Sequence, residues 1–286
     1  MIQVINAGFY TSIQDRGRKG YRHLGIPMSG PMDLHAFNWA NTLLPSLTNE
    51  CVIECTMIGP HLILEKAVCF VITGALIEAY LNEKPVVMNK VYRAEAGSNL
   101  RLGKIYKGLR SYLRLHADIK TEEVLGSQSY FHPLTLTNQL KKGDEIPYSV
   151  EELQPTATFA HVKTDSSYLE INHLELFPGP DWSLLPIEFQ NKLLRESHQI
   201  LAQNRMGYQL SSSIRWEAPR LLSQVVIPGM LQLTPSGKII VATADCQVTG
   251  GYLQILQLTP KSLDVLVQKR EGTWLTFQNK PLRKAP

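Results

Sequence analysis

Short apolar runs bounded by glycine, proline or asparagine recur along almost the whole 286-residue chain. Several alternate in period two, which favours β-strands because successive side chains of a strand point to opposite faces. Residues 234–238 contain Pro235 and Gly237 and predict a tight hairpin turn between two of these runs. The pattern predicts a mainly β protein whose strands include residues 62–64, 68–72, 86–88, 225–227, 239–241 and 253–258.

Helical patterns are few. In residues 33–44, Ala36, Phe37 and Ala40 fall on one face, and Pro45 stops the run. A second helix is expected to begin near Pro186 and to carry residues 187–194, because proline suits the first position of a helix.

The chain is long enough for two domains, each with its own core. Residues 146–164 contain Pro147 and Pro155 and show no clear period, which is typical of a connection between domains. We therefore expect one domain over residues 1–155 and a second over residues 156–286.

Charge and hydropathy exclude several partner classes. A net charge of +4 with a pI near 8.8 is too mild to predict nucleic-acid binding. The longest apolar run, residues 67–77, is too short to cross a membrane, and the first residues lack the pattern of a secretory signal. We expect a cytoplasmic protein, since its cysteines lie in apolar segments without paired spacing, as buried free thiols do: Cys51, Cys55, Cys69 and Cys246.

The sequence predicts no metal centre and no standard nucleotide loop. The nearest approach to a ligand pair, His116 with Asp118, is more typical of two hydrogen-bonding side chains. Gly237 and Lys238 resemble the end of a phosphate-binding loop, but Gln232 stands where such a loop needs its first glycine.

Residues 14–33 hold four cationic side chains, a histidine, two carboxylates and four glycines. Arginines offer forked donors that suit a carboxylate or a phosphate, and the glycines allow a close backbone approach. Such a segment is either an anion clamp with an acid–base pair or a solvated glycine-rich connector.

A second cluster lies near the other end of the chain. Thr249, Gly250 and Gly251 follow a strand and could present bare backbone amides to an anion. They could equally form a bulge or a corner at the rim of a barrel. Gln232 lies in an alternating strand and faces either a ligand or solvent.

These motifs, in this order, resemble the KipA-like family, also called allophanate hydrolase subunit 2 and related to biotin-dependent carboxyltransferases. Arg205, Met206, Gly207 and Tyr208 give a further match. The resemblance covers nearly the whole chain and implies two cyclophilin-like β-barrel domains. This chain departs from the family at one place. Where the family has a glycine-rich stretch, this chain has Leu113-Arg114-Leu115-His116-Ala117-Asp118.

The family includes the C subunit of the ATP-dependent 5-oxoprolinase, and this is the function that the resemblance implies first. The complex would cleave 5-oxo-L-proline to L-glutamate with ATP hydrolysis, and the chain would be inactive without its KipI-like and LamB/YcsF-like partner subunits. ATP would be bound somewhere in the complex. A five-membered lactam is a stable amide that resists hydrolysis, which explains the need for ATP. Phosphorylation of the lactam oxygen would make the ring carbon electrophilic.

Two alternatives stay open. The chain could be half of a biotin-dependent carboxyltransferase, as in urea carboxylase, with the biotin carried on another chain. It could also be a non-catalytic regulatory partner that antagonises a KipI-like kinase inhibitor. All three interpretations share a KipI-like partner.

The resemblance also implies site residues, which we expect to line one cleft formed by residues 15–23 and 245–252. The expected catalytic residues are Asp15, His23 and Asp245. The expected substrate- or anion-binding residues are Gln14, Arg16, Gly17, Arg18, Tyr21, Gln232, Thr249, Gly250, Gly251 and Tyr252.

Overall fold

The computed structural model describes residues 1–45, 49–150, 166–214 and 222–280. The chain forms two compact units, the first from Met1–Arg18 and Ser29–Leu169 and the second from Lys19–Met28 and Glu170–Pro286. The boundary expected at residue 155 lies outside the described residues. Within the described ranges, no helix is long and apolar enough to span a membrane.

The first unit contains one α-helix and eleven strands among its described residues. In chain order they are β1 (Ile2–Asn6), β2 (Tyr10–Gln14), α1 (Leu34–Leu43), β3 (Val52–Thr56), β4 (His61–Leu64), β5 (Val68–Leu81), β6 (Lys84–Pro85), β7 (Tyr92–Ala94), β8 (Ser98–Leu115), β9 (Ala117–Ile119), β10 (Glu145–Ile146) and β11 (Tyr148–Val150).

Nine of these strands form one sheet, in the order β10-β1-β4-β8-β3-β2, and β5 pairs with β6, β7 and β8. The long antiparallel pair β5 and β8 dominates the sheet. It runs from Phe70 opposite Leu115 to Leu81 opposite Leu100, and its register shifts between Gly74 and Ala79. Inward-facing aliphatic residues such as Ile53, Leu62 and Leu113 are fully buried in the core. Burial of this apolar surface is the main stabilising contribution to such a sheet.

Helix α1 confirms the prediction for residues 33–44 to within a residue at each end. Asp33 caps it, because its side chain accepts a hydrogen bond from Ala36 N at 2.8 Å. The apolar face packs through Phe37 and Ala40 against Val71 and Tyr112 of the sheet. The helix is therefore fixed at both its cap and its apolar face.

The second unit is a closed barrel of seven strands, in the order β12-β19-β16-β17-β14-β13-β20. A separate pair, β15 with β18, lies beside it in the same unit. The elements are β12 (His173–Pro178), α2 (Ile187–Arg195), β13 (Ser197–Gln203), β14 (Gly207–Leu210), β15 (Gln224–Val225), β16 (Met230–Leu233), β17 (Ile239–Ala242), β18 (Thr249–Gly250), β19 (Leu253–Leu258), α3 (Pro260–Leu266) and β20 (Trp274–Asn279).

The mainly β prediction is confirmed, and so are the helix after Pro186 and the hairpin turn at residues 234–238. In that turn Thr234 N donates to Lys238 O at 2.9 Å and Gly237 N donates to Thr234 O at 2.9 Å. Gly237 has a φ of +81°, a conformation that glycine adopts readily.

The predicted strand over residues 86–88 is wrong. Strand β6 ends at Pro85, and the chain then turns at Asn89, which has a φ of +60°. Residues 226 and 227 likewise leave the strand after Val225. In both places a short apolar run lies outside strand pairing, and periodicity alone does not make this distinction.

Gly74 lies where strand β8 and helix α1 both approach strand β5 closely. It has a φ of +85°, and a Cβ there would lie 2.7 Å from Arg110 O and 3.3 Å from Ala36 Cβ. We expect Gly74→Ala to lower the free energy of unfolding of this unit by about 3 kcal/mol, from backbone strain plus overlap.

The control is Gly97→Ala, which has a similar φ of +78° but open space around the added Cβ. Gly97→Ala therefore measures only the strain of an alanine at positive φ, which should lower the free energy of unfolding by about 1 kcal/mol. Urea denaturation followed by circular dichroism measures both variants, and equal losses would contradict the packing argument.

Candidate functional site

The Asp15 carboxylate holds the opening loop of the first unit in place. Its Oδ1 accepts hydrogen bonds from Gly17 N at 2.8 Å and from the hydroxyls of Ser127 and Ser129, each at 2.6 Å. Its Oδ2 accepts a hydrogen bond from Gln128 N at 2.7 Å. Four donors leave this carboxylate well satisfied, so its contacts are those of a residue that orders a loop.

The arginines of the loop also have partners inside the first unit. Arg16 forms a two-point ion pair with Glu50, with Nη2 3.0 Å from Oε1, and its guanidinium lies 5.4 Å from the centre of the Phe37 ring. The pair with Glu50 raises the pKa of Arg16. Arg18 is fully buried and donates to Ser129 O at 2.5 Å, and Gln14 beside the loop is also fully buried.

A buried polar network joins the start of α1 to the sheet. Asp33 N donates to Tyr112 Oη at 2.8 Å, and Tyr168 Oη donates to Asp33 Oδ2 at 2.8 Å. Met32 N donates to Glu54 Oε2 at 2.8 Å. Burial, together with the charges of Glu54 and Asp33, raises the pKa of Tyr112 well above its ordinary value, so its hydroxyl stays protonated.

The segment at residues 113–118 has a structural role of its own. Arg114 is fully buried and donates to Cys51 O at 2.6 Å and to Asn49 O at 2.7 Å. His116 Nδ1 lies 2.8 Å from Pro45 O, and Asp118 accepts a hydrogen bond from Asn49 Nδ2. Arg114 and His116 therefore bind backbone carbonyls between α1 and β3, and Asp118 binds the side chain of Asn49.

In the second unit, the segment Lys19–Met28 contains a short 3-10 helix at Arg22–Leu24. Tyr21 precedes this helix, and His23 is exposed on it. Arg22 donates through Nη2 to Val226 O and lies close to the Cys246 thiol. A guanidinium has five N–H donors, so Arg22 keeps donors available for an acceptor on a ligand.

Asp245 forms a buried ion pair with Arg205. Arg205 Nε lies 2.7 Å from Oδ2, Nη2 lies 3.2 Å from Oδ1, and both side chains are under 10% exposed. Asp245 N also donates to Arg205 O at 2.8 Å. The pair links the turn after β17 to the turn before β14. The motifs that contain Arg205 and Asp245 are therefore in direct contact although they are distant in sequence.

We call residues 245–252 the rim of the second unit. Gln232 lies beneath it and is fully buried, and in the described part of the chain its Nε2 has no hydrogen-bond partner. A Cβ on Gly250 would lie 3.0 Å from that nitrogen, so Gly250 packs closely on the Gln232 side chain. Thr249, Gly251 and Tyr252 are exposed and could face a ligand.

This arrangement is a set of donors suited to an anion or a carbonyl oxygen. Arg22 supplies a partly buried cation beside the rim, and Gly251 an exposed backbone amide. Sequence reasoning left Arg22 out of the site, although it stands in the same charged segment. Its contact with Val226 depends on a pairing across 204 residues that no local pattern encodes.

The residues expected to line one cleft, 15–23 and 245–252, belong to different compact units. Arg22, with Tyr21 and His23, lies in the unit that carries the rim, and Arg22 contacts Val226 there. Asp15, with Arg16, Gly17 and Arg18, lies in the first unit. The roles of all these residues stay predictions.

No group of three or more potential ligands for a metal ion occurs among the residues that the structure covers. Gly237 and Lys238 belong to the hairpin between β16 and β17, where no helix follows to receive a phosphate. The described residues therefore do not fit a standard ATP loop.

Comparison with known proteins gives a family match over most of the chain. The family model described as "Carboxyltransferase domain, subdomain A and B" matches residues 24–279. The match includes Arg205, Gln232 and Asp245 but begins after the Asp15 loop.

Individual relatives agree with this match. The chain is 32% identical to the C subunit of the Escherichia coli 5-oxoprolinase, over 100% of this chain and 93% of that protein. It is 37% identical to urea amidolyase of Lachancea kluyveri over 45% of this chain but only 7% of that protein. The crystal structure of Kluyveromyces lactis urea carboxylase has the same fold, with a TM-score of 0.84 at 23% identity over 96% of this chain and 27% of that one.

The ion pair of Asp245 can be separated from a catalytic role by mutation. Removing one partner of a buried pair leaves the other charge uncompensated, so we expect Asp245→Asn to lower the free energy of unfolding of the second unit by about 3 kcal/mol. The control is Glu196→Gln, which removes an exposed pair with Lys192 in the same unit. Unchanged unfolding in urea for Asp245→Asn would contradict the structural role.

Thiol reactivity reports on burial at the rim. Burial raises the pKa of Cys246 to about 11, against the lowering effect of Arg22. A raised pKa keeps the thiol protonated, so roughly 1% is thiolate at pH 9. Half-buried Cys69 should react with iodoacetamide first, and the rate of alkylation of Cys246 should increase as the pH rises from 8 to 10. Mass spectrometry of the native protein measures this order; equal rates at pH 8 would contradict it.

Proposed function

Because the chain belongs to the family of carboxyltransferase domains with subdomains A and B, we propose that it is the C subunit of a 5-oxoprolinase. In this proposal it assembles with two further proteins, one KipI-like and one LamB/YcsF-like. The complex cleaves 5-oxo-L-proline to L-glutamate and hydrolyses ATP, so we place it in the cytoplasm, where ATP is available.

One observation carries this proposal. The similarity to the C subunit of the Escherichia coli 5-oxoprolinase extends over the whole of this chain and 93% of the relative. A second protein of the same name, from Haemophilus influenzae, is 27% identical over the same shares of the two chains. The urea amidolyase relatives match a shorter part of the chain and are much larger proteins.

The donors near the rim suit the proposed substrate. 5-Oxo-L-proline carries one carboxylate and one lactam carbonyl, and both accept hydrogen bonds. In the proposal Arg22 pairs with the carboxylate, since a guanidinium fork matches the two oxygens. The backbone amide of Gly251, which follows strand β18, stabilises negative charge on the lactam oxygen. Exposed His23 lies on the segment of Arg22 and is the first candidate to move a proton.

ATP is assigned to another protein of the complex in this proposal. The described residues of this chain contain no standard phosphate loop, as the hairpin at Gly237 illustrates. The chain's own part is therefore to bind and orient the cyclic amide, and no step of nucleotide chemistry is attributed to its residues.

A second candidate is the carboxyltransferase half of a urea carboxylase. The description of the matching family and the 37% identity to a segment of urea amidolyase favour it. In that case the same donors would bind urea, and biotin would arrive on another chain.

Reconstitution tests the proposal. We expect no glutamate from 5-oxo-L-proline and ATP with the purified chain alone, and turnover when the KipI-like and LamB/YcsF-like proteins from the same genome are added. A parallel reaction with urea and a carboxylated biotin carrier tests the second candidate. Robust turnover by the lone chain would contradict the multi-subunit function, and carboxylation of urea alone would support the second candidate instead.

A further inference from the structure

A groove with no assigned role lies on the second unit, between strand β12 and the start of helix α3. Its volume is about 600 Å³, and none of the rim residues lines it. Pockets that bind small molecules span about 300–1,000 Å³. The groove is therefore large enough to be a binding site of its own.

The floor of the groove is apolar. Ile171 and Phe177 are partly buried along it, and Val265 of α3 is 5% exposed. Phe177 offers an aromatic face to whatever enters, and aromatic rings supply a large contact area at low entropic cost. An apolar body of a ligand would be buried here.

The walls are held by hydrogen bonds between β12 and α3. Glu175 N donates to Ser262 Oγ at 2.8 Å, and Thr259 N donates to Glu175 O at 3.0 Å. Thr259 Oγ1 also lies 3.1 Å from Ser262 Oγ. These contacts fix the width of the groove before any ligand binds, which lowers the entropic cost of binding.

The edge of the groove carries one cation in excess. Lys280 forms an ion pair with Glu175 at 2.8 Å, so these two charges balance. Lys261 is exposed and makes no hydrogen bond or ion pair with any described residue. It lies near enough to contribute, after Lys280, to a lowered pKa of Glu175. His173 adds a further group that can carry positive charge.

We propose that this groove binds a small carboxylate with an apolar body, whose carboxylate pairs with Lys261 and whose body lies on Phe177 and Val265. An anion is favoured over a cation because the only carboxylate among the described residues that line the groove, Glu175, is already paired with Lys280. The site is independent of the proposed 5-oxoprolinase function, since it shares no residue with the donors near Arg22.

Titration of the full chain, labelled with ¹⁵N, tests the proposal. The probes are 4-phenylbutyrate and the uncharged 4-phenylbutan-1-ol, which separate the carboxylate from the apolar body. We expect saturable shifts at the amides of Glu175, Phe177 and Ser262, and carboxylate binding about fivefold tighter than alcohol binding, the factor that one exposed ion pair gives.

Two variants make the result specific. Lys261→Gln should weaken 4-phenylbutyrate about fivefold, to the level of the alcohol, and leave the alcohol unchanged. Lys192→Gln, an exposed lysine of the same unit, should leave both probes unchanged. Unchanged carboxylate affinity in Lys261→Gln, shifts confined to other parts of the chain, or no saturable binding would each overturn the proposal, and thermal melting confirms that both variants fold.

Discussion

The rim of the second unit depends on the buried ion pair between Arg205 and Asp245. Burial of two charges costs free energy unless each is paired and hydrogen-bonded, and here both carboxylate oxygens face guanidinium nitrogens. The backbone around the pair is fixed as well, since Thr243 Oγ1 donates to Arg205 O at 2.7 Å. The ion pair and this hydrogen bond thus fix the backbone at the start of the segment that leads from β17 to Gly250. Any ligand donors that the rim presents are placed by this pair.

The charged opening segment has two separate roles. In the first unit Asp15 organises the loop, and Arg16 pairs with Glu50. In the second unit, Arg22 donates to a backbone carbonyl, that of Val226. A charge paired with a carboxylate inside the fold has little interaction energy left for a ligand, so Arg22 is the better candidate for anion binding.

Sequence pattern predicted several of the strands, both long helices and the hairpin at Gly237, because each rests on local spacing or on turn chemistry. It was wrong at residues 86–88, where Val86 is buried but Val87 is exposed and none of the described strands pairs with the run. For the site, the motifs indicated candidate segments whose roles stay predictions, and residue type alone did not show that the Asp15 carboxylate orders a loop. Arg205 and Asp245 lie 40 residues apart in the sequence, and only the tertiary structure brings them together.

In the proposed function, Arg22 near the rim of the second unit binds the substrate carboxylate. The most direct measurement is kcat/KM for 5-oxo-L-proline of the reconstituted complex with Arg22→Ala, beside Arg195→Ala as an exposed arginine of the same unit. Loss of a charge-assisted hydrogen bond predicts a fall of at least about tenfold for Arg22→Ala, chiefly through KM, with only a small loss of thermal stability from the lost contact with Val226 O. Equal kcat/KM values for the two variants, or a loss that follows unfolding alone, would contradict the account.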